Sequence, residues 1–303
     1  MATFGINGFG VRAQIACMWE AMARKPGNVH PSARFEDIDI GSFLTSAAVL
    51  GGVFERFGPG RYDLEETIGR RVYEAVKATR SWVSSNTNLG IALLLSPLIQ
   101  ASYEEHTSSF NEELSYLLNH LTVRDSDWVF RAIRLANPGG LGEASEQDVH
   151  SAPTVTLLEA MKLAADRDLI ARQYTNGYAD VFDLGVPAFL NAFEKFGCVE
   201  AAVIECQLKW MAEFPDSLIA RKLGLPTAED VQNRVKCVMA LGGLHTAEGR
   251  RAGVELDRHL RSNGNKLNPG TTADLVAACL FVALRENKVK PSAPFRWNVP
   301  DWL

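Results

Sequence analysis

"YDLEETIGRRVYEAVKATRSWV", residues 62–83, decides the fold class because its apolar residues recur every three or four positions, the spacing of one helix face. The stripe consists of Leu64, Ile68, Val72, Ala75, Val76 and Thr79. Residues 154–174, 227–244 and 271–286 are also rich in helix formers at helical spacing. The sequence shows no convincing alternating strand and no hairpin dipeptide flanked by β-branched residues. It therefore predicts an all-α fold of roughly ten to thirteen helices in one globular multi-helix domain.

Helix starts are indicated by local capping signals. Thr227 with Asp230, and Thr271 with Asp274, match the capping box, in which two side chains satisfy free N–H groups reciprocally. We expect a helix to begin at each threonine. The first helix is expected near Val11–Arg24, after a glycine-rich start.

Length and composition allow one large domain or two small ones, and the lack of a long polar linker favours one catalytic domain spanning residues 1–303. The chain has 303 residues, of which 47% are hydrophobic, enough for a substantial core. The tail at 289–303 contains three prolines and three large aromatic residues. We expect this tail to be extended, with its aromatic rings docked on the body or on a second copy in a homodimer.

Charge and cysteine usage exclude several classes of protein. The net charge of −5 indicates no broad basic face for nucleic acid. The five cysteines form no C-x-x-C pair and are typical of reduced thiols in a cytosolic protein. No signal peptide is visible, and the longest apolar run, residues 91–99, is far short of the ~20 residues of a membrane helix. We expect a cytoplasmic protein without a membrane partner.

The glycines near the N-terminus raise the alternative of a dinucleotide site. Gly8, Gly10 and Ala13 fit G-x-G-x-x-A, the turn that holds a pyrophosphate. That motif needs a strand before it and an acidic residue ~20 positions after it. Neither is present, so a first helix is favoured over a dinucleotide site.

Polar loops that lead into helices are the expected place for chemistry, because free N–H groups and the helix dipole attract phosphate there. In "KPGNVHPSARFEDID", Lys25 and His30 can contact anionic groups, while Glu36 and Asp37 are oxygen ligands suited to Mg²⁺. The alternative is a polar loop whose Asp39 caps the next helix.

A second block, "SSNTNLGIALLL", places Asn86, Thr87 and Asn88 before a very apolar helix. One of them is needed as the N-cap, and three exceed what a cap requires. Pro97 inside the apolar run predicts a kinked or ending helix in the core. The polar end would then lie near the protein centre.

A third block, "FRAIRLANPGGLGEASEQDV", combines a cation, small residues and acids. Arg134 is followed by Gly139 and Gly140, which allow the backbone to approach a ligand closely, and then by Asp148. The alternative is a glycine-terminated helix with a surface loop.

Two further blocks, "AADRDLIARQY" and "FPDSLIARKLG", pair helix starts with cations. The first spaces an aspartate and an arginine four apart, which predicts a surface ion pair. The second begins a helix with Asp-Ser and carries two cations one turn later, which predicts either a capped helix or a phosphate clamp. The residues concerned are Asp168, Arg172, Asp216, Ser217, Arg221 and Lys222. In a fifth block, "NKLNPGTTADL", Thr271, Thr272 and Asp274 offer hydroxyls and a carboxylate at a helix start, which suits Mg²⁺–phosphate.

Together these blocks resemble the triphosphoribosyl-dephospho-CoA synthase family, which serves citrate lyase and malonate decarboxylase. The similar blocks are "KPGNVH", "NTNLGIALLL", "AIRLANPGGLGEASEQDV", "AADRDLIARQY", "PDSLIARKLG" and "NPGTTADLVAACLF". They run in order from about Ala16 to about Leu284. The resemblance implies an all-α enzyme in which the 2′-hydroxyl of 3′-dephospho-CoA attacks C1 of the ATP ribose and adenine leaves.

The resemblance also assigns roles, with ATP as substrate and Mg²⁺ as cofactor. Phosphates would be held by Lys25, Arg134, Arg221 and Lys222. Glu36, Asp37 and Asp274 are the candidates for Mg²⁺ ligand or catalytic base, with Asp148 and Asp168 in reserve. The nucleotide site would be lined by Asn86, Thr87, Asn88, Thr271 and Thr272. The other residues singled out in these blocks would lie beside it, namely His30, Gly139, Gly140, Arg172, Asp216 and Ser217.

One departure concerns the first block. The citrate and malonate enzymes typically read "KPGLVD", whereas His30 stands here in place of the first carboxylate. The variant looks like a branch found beside genes of one-carbon carriers. The acceptor is then dephospho-CoA or a pterin or furan carrier precursor. A nucleotide phosphohydrolase and a helical nucleotide-binding scaffold remain the alternative functions.

Overall fold

The computed structural model describes residues 8–57, 67–103, 109–140, 146–299 and 302–303, and Leu64 of the predicted stripe lies outside them. These residues form α-helices and only two isolated bridges, so the all-α prediction is confirmed. The helices are α1 Phe9–Met22, α2 Ile40–Arg56, α3 Ile68–Arg80, α4 Leu89–Tyr103, α5 Phe110–Asn119, α6 Val123–Ala136, α7 Leu157–Ala164, α8 Leu169–Asn176, α9 Val186–Phe196, α10 Val199–Glu213, α11 Ser217–Leu223, α12 Leu225–Ala240, α13 Ala247–Arg261 and α14 Gly270–Arg285.

The fourteen helices of the described residues slightly exceed the predicted number. Short helices account for the difference, because periodicity does not resolve the turns between them. The stretch 154–174 holds two of them, α7 and α8, separated at Asp168, whose side chain caps α8. A π-helical turn at Val181–Gly185 and a 3₁₀ turn at Gly243–His245 complete the element order.

The core is built around α4, α10 and α14, whose residues are buried on nearly all sides. A helix that is apolar all round is stable only when other helices surround it. The main hydrophobic cluster joins α4 and α14 to α1, α2 and α3. A second cluster lies on the other side of α10, against α12 and α13. No helix of the described residues has the length and apolarity needed to cross a bilayer.

Of the two outcomes predicted for Pro97, a kink or an end of the helix, the end is wrong, because α4 continues through Pro97 to Tyr103. A proline cannot donate to the carbonyl four residues earlier, here that of Leu93. The buried Tyr174 hydroxyl donates to this carbonyl at 2.7 Å, and Tyr178 donates to the Leu94 carbonyl at 3.0 Å. These two bonds satisfy α4 and dock α8 against it.

Several predicted helix starts are wrong. Helix α12 begins before Thr227, whose hydroxyl donates to the Leu223 carbonyl at 3.0 Å, so Thr227 and Asp230 form no capping box. The first helix begins at Phe9, two residues earlier than expected. Gly10 lies inside that helix, where a Cβ would come 2.6 Å from the Gly51 carbonyl oxygen. Close packing of α1 on α2 therefore explains this glycine without a pyrophosphate.

The C-terminal tail packs on the body of its own chain. Trp297 and Trp302 are buried in the second hydrophobic cluster. The guanidinium of Arg24 donates to the carbonyl oxygens of Trp297, Trp302 and Leu303 at 2.7–3.1 Å, and it is paired with the buried Glu200 at 2.7 Å. The tail thereby holds the loop that follows α1.

Candidate functional site

A cavity of about 590 Å³ lies where the N-terminal ends of α4, α8 and α14 meet. Apolar residues of α6 and α7, among them Phe130 and Met161, form one wall. The rest of the lining includes a polar part. It contains these residues singled out from the sequence: Asp37, Asn86, Thr87, Asn88, Gly139, Asp148, Asp168, Arg221, Lys222, Thr271 and Asp274. Loops and helix starts that are far apart in the chain therefore share one concave surface.

The starts of α8 and α11 are tied together by Asp168. Its Oδ1 accepts from the N–H groups of Ile170 and Ala171 at 2.8 and 3.2 Å, while Oδ2 is paired with the Arg221 guanidinium. The predicted ion pair between Asp168 and Arg172 is therefore wrong. Arg172 instead binds Asp180 at 2.8 Å, outside the cavity lining, because the turn after α8 brings that carboxylate closer.

The start of α14 is held by Asp216 rather than by its own capping box. One carboxylate oxygen of Asp216 accepts from the N–H and the hydroxyl of Thr272, both at 2.8 Å, and the other caps α11. Ser217 accepts from the Leu169 N–H at 2.9 Å. Asp216, Ser217 and Thr272 are buried behind the cavity wall, where their hydrogen bonds join α8, α11 and α14.

Asp274, in the first turns of α14, receives no hydrogen bond from the described residues. It is partly buried and lines the cavity. A side chain at position 90 would overlap its Oδ2, so Gly90 at the first turn of α4 allows this close approach. Burial, followed by the negative charges of Glu20 and Asp216, raises the pKa of Asp274 well above its usual range. The predicted capping box of Thr271 with Asp274 is wrong, since Pro269 occupies the N-cap position without a side-chain bond.

Glu20 lines the cavity and was not predicted from the sequence. Its carboxylate lies 2.8 Å from the ammonium of Lys25, which is completely buried and also donates to the Glu20 carbonyl at 2.5 Å. Lys25 therefore faces Glu20 and not the cavity, because burial of a charge demands a nearby partner. The sequence signal that could have identified Glu20 is its position as an acidic residue among the apolar residues of α1.

The loop before α2 and the loop before α14 meet at the side of the cavity. The Nδ2 of Asn265 donates to both oxygens of Asp37 at 3.0 and 3.2 Å. The Lys222 ammonium donates to the side-chain and main-chain oxygens of Asn265 at 3.2 and 3.3 Å. Burial lowers the pKa of Lys222. Glu36, the neighbour of Asp37, is exposed and does not line the cavity.

The three polar residues before α4 divide capping and packing between them. The Oδ1 of Asn86 accepts from the N–H of Leu89, the first residue of α4, at 3.2 Å, while Asn88 occupies the position directly before the helix. The Nδ2 of Asn88 donates to the Thr79 hydroxyl at 2.7 Å, and the Thr87 hydroxyl is bonded to that of Ser46. All three still contribute atoms to the cavity wall.

The remaining predicted residues stand away from the cavity. Burial, followed by the charge of Arg261, lowers the pKa of His30 to about 3, so its imidazole is neutral and not an anion-binding cation. Arg134 donates to the Val149 carbonyl, and Gly140 packs on the backbone of Arg221. Neither residue lines the cavity, whereas the neighbouring Gly139 does.

Residues that sequence analysis missed are mainly amides and one further cation. Asn28, Arg167, Asn265 and Asn268 line the cavity. All four belong to blocks already quoted, Arg167 to "AADRDLIARQY" and the asparagines to "KPGNVH" and "NKLNPGTTADL". Asparagines in loops are ordinarily explained as turn formers. Among the described residues, no group of three or more His, Cys, Asp or Glu side chains is arranged to hold a metal ion.

Comparison with known proteins gives a consistent result. The family model described as "ATP:dephospho-CoA triphosphoribosyl transferase" matches residues 8–292. A Pseudomonas putida protein named "Probable 2-(5''-triphosphoribosyl)-3'-dephosphocoenzyme-A synthase" is 33% identical over 110 residues, which is 36% of this chain and 39% of the relative. A Pseudomonas aeruginosa protein of the same name is 32% identical over 98 residues, 32% of this chain and 33% of the relative. These matches span less than two fifths of the curated relatives' length.

Structural similarity covers more of the chain. The crystal structure of a "putative triphosphoribosyl-dephospho-coA synthase" from Archaeoglobus fulgidus matches with a TM-score of 0.61 and 29% sequence identity. The match covers 80% of this chain and 98% of the other. The helical arrangement of four fifths of this chain is therefore shared with a solved relative.

Proposed function

The chain belongs to the ATP:dephospho-CoA triphosphoribosyl transferase family, and from that membership we propose that it transfers the triphosphoribosyl group of ATP to 3′-dephospho-CoA. The acceptor's 2′-oxygen forms a bond to C1 of the ATP ribose while the bond from C1 to adenine breaks. The hydroxyl proton passes to a carboxylate, and adenine departs with the bonding electrons and takes up a proton. The triphosphate stays attached to the transferred ribose.

The observation that carries the proposal is the meeting of three helix starts with a carboxylate free of hydrogen-bond donors in one cavity. A transferred triphosphate must be held and not cleaved, so it needs donors and positive charge without a positioned water. The N–H groups of Leu89, Gly270 and Thr272 are bonded within the chain, and those of Gly90, Ile91 and Thr271 remain as donors at the starts of α4 and α14. Arg221 and Lys222 supply charge-assisted hydrogen bonds.

We assign the role of proton acceptor to Asp274. A general base works best when its pKa lies near the working pH, and burial beside Glu20 moves the pKa of Asp274 in that direction. Loss of adenine also develops positive charge on the ribose, as in glycoside hydrolysis, and a nearby carboxylate stabilises it. Because no described donor occupies the Asp274 oxygens, they are available to a substrate hydroxyl.

A magnesium ion fits this site only together with the substrate. Mg²⁺ is commonly bound by one or two carboxylates and by substrate phosphates, and it keeps several waters. Asp37 is exposed on the cavity wall close to Lys222 and has oxygen lone pairs beyond those bonded to Asn265. We propose that Asp37 would hold Mg²⁺ with the triphosphate, where the ion would neutralise phosphate charge. Glu36 does not line the cavity and is left out of this set.

We further propose that residues 1–303 act as one catalytic domain in the cytoplasm. Contacts of the tail with the loop after α1 and with α10 support a single unit. The five unpaired thiols suit a reducing compartment.

The test is incubation of the purified chain with ATP, Mg²⁺ and 3′-dephospho-CoA, followed by chromatography and mass spectrometry. We expect free adenine in equal amount to an acceptor enlarged by a triphosphoribosyl group, and loss of both when EDTA is added. ADP or AMP with phosphate would instead indicate a phosphohydrolase. Adenine formed only with a pterin or furan acceptor would keep the transfer and change the acceptor, and ATP binding without turnover would indicate a scaffold.

A further inference from the structure

Three hydrogen-bonded side-chain amides, those of Gln207, Asn28 and Asn268, connect the core to the cavity wall, and we call them the relay. Gln207, fully buried in α10, donates through Nε2 to the Pro26 carbonyl at 3.1 Å and to Asn28 Oδ1 at 2.7 Å. Asn28 in turn donates through Nδ2 to Asn268 Oδ1 at 2.7 Å. Asn28 and Asn268 both line the cavity, and Asn268 lies two residues before α14.

The direction of these hydrogen bonds is determined at one end. A main-chain carbonyl can only accept, so Pro26 requires the NH₂ group of Gln207 to face it. The same NH₂ group then meets the oxygen of Asn28, which turns the Asn28 NH₂ toward Asn268. Asn268 must accept with its oxygen, and its own NH₂ group is left without an acceptor among the described residues. Each amide thus sets the orientation of the next.

The exposed end of the relay lies beside other donors. The main-chain oxygen of Asn265 accepts from the N–H of Asn268 and from the Lys222 ammonium, each at 3.3 Å, so these two donors lie close together. The Gly270 N–H is bonded to the Asn268 carbonyl, and Thr271 at the first turn of α14 also lines the cavity. This corner therefore presents an amide NH₂, an ammonium and a helix start, and it favours an oxygen acceptor carrying negative charge.

We infer that Gln207 and Asn28 are positioning residues that hold Asn268 with its NH₂ group toward the cavity, where it donates to a phosphate oxygen of bound ATP. The inference rests on the proposed function. A buried amide in the core thereby acts on affinity for the phosphates without touching the nucleotide. Without the relay, the amide group of Asn268 could rotate between two orientations. In one of them its oxygen, and not its NH₂ group, would face the phosphate and repel it.

The decisive variant is Gln207→Met, which keeps the length of the side chain and removes the anchoring donor. We expect the dissociation constant for ATP, measured by calorimetry, to rise about tenfold, the effect of one hydrogen bond to a charged group. KM should rise with it while kcat changes less than about twofold. The affinity for tripolyphosphate should fall in parallel, and the affinity for adenosine should not change.

The matched control is Gln232→Met. Gln232 also donates to two main-chain carbonyls, those of Ala212 and Glu213, but has no connection to the cavity. Both variants lose two hydrogen bonds, so both should lower Tm, and only Gln207→Met should weaken ATP. Equal ATP affinity in the two variants would overturn the relay.

A double-mutant cycle tests the direction of action. Asn268→Ala removes the outward donor, so adding Gln207→Met to it should cost no further ATP affinity. Additive losses would show that Gln207 acts by another route. If Gln207→Met fails to fold, Asn28→Ala takes its place in the same cycle.

Failure of the relay and failure of the proposed function give different results. The wild-type protein could bind ATP without releasing adenine, while its affinity for ATP still depends on Gln207. That result would contradict the proposed transfer reaction and support the relay. Adenine release that is indifferent to Gln207 keeps the transfer and sinks the relay. A chain that binds neither ATP nor tripolyphosphate sinks both.

Discussion

Arg24 and Asp274 are ionisable groups with opposite hydrogen-bond environments. Arg24 is paired with Glu200 through two nitrogens and donates to three carbonyl groups of the C-terminal tail. Asp274 accepts no hydrogen bond from the described residues and has the negative charge of Glu20 nearby. One charge is saturated by partners, and the other is left in contact with a cavity.

The difference separates charges that hold the fold from charges kept for a ligand. Removing a charge from water is costly, and a complete set of partners compensates for that cost at Arg24. Asp274 lacks this compensation, so its ionised form destabilises the folded chain. Carboxylates with a raised pKa in a cavity are candidates for catalysis.

The largest effect is expected from Asp274→Asn. The amide keeps the size of the side chain and cannot take up a proton, so adenine release should fall about 10²- to 10⁴-fold. An activity within twofold of wild type would contradict the role of Asp274 as base. Asp127→Asn, in an exposed ion pair with Arg131, is the matched control and should retain full activity.

The same variant has a defined dependence of stability on pH. A carboxyl group whose pKa is raised by folding destabilises the folded state once the pH exceeds the unfolded value of about 3.9, and fully so above the raised value. The amide of the variant carries no charge at any pH and escapes this loss. Tm of Asp274→Asn should therefore exceed that of wild type at pH 8 and match it below pH 4, as measured by differential scanning calorimetry.

Glu200→Gln tests the saturated end of the comparison. Removing one partner of a buried pair leaves Arg24 uncompensated, so the free energy of unfolding should fall by about 3–5 kcal/mol in urea titrations. The folded fraction should bind ATP with nearly wild-type affinity, since Glu200 lies outside the cavity lining. Unchanged stability would show that the tail contacts do not depend on this charge.

Lys222→Met removes the ammonium at the cavity and keeps the length of the side chain. Loss of a charge-assisted contact to phosphate should raise KM for ATP about 10- to 100-fold. The difference in KM between variant and wild type should become smaller as salt is added, because salt screens the charge. Lys209→Met serves as control because Lys209 belongs to an exposed pair on α10. Equal KM values in the two variants would remove Lys222 from the phosphate site.

The smallest effect is expected from Arg172→Ala. Arg172 is paired with Asp180 at the surface and stacks on Phe214, away from the cavity. Exposed ion pairs contribute up to about 1 kcal/mol, so Tm should fall slightly and adenine release should stay unchanged. A marked loss of activity would return Arg172 to the site predicted from the sequence.

Helical periodicity was sufficient for the fold class, and capping signals were not sufficient for the helix starts. The stripe at Ile68, Val72 and Val76 predicts α3 because spacing alone places those residues on one face. Asp274 looked like half of a capping box, yet Asp216, 58 positions earlier in the chain, satisfies the neighbouring Thr272 instead. A local pattern cannot show that a distant side chain replaces a cap.

The same limit applies to charge. Lys25 and Arg221 both looked suited to phosphate, but Lys25 is buried against Glu20 while Arg221 reaches the cavity. Their surroundings are set by which helices pack together, and spacing in the chain carries no information about that. Asn28 and Asn268 were overlooked for the same reason, since each becomes informative only beside the other.

The amino-acid sequence alone determined the helical class, the order of the polar blocks and the family they resemble, because these depend on residue spacing within single segments. Tertiary packing decided which polar groups face one another. Hydrogen bonds and burial act through space, so only the folded chain could leave Asp274 without a donor, saturate Arg24 and orient Asn268 from within the core.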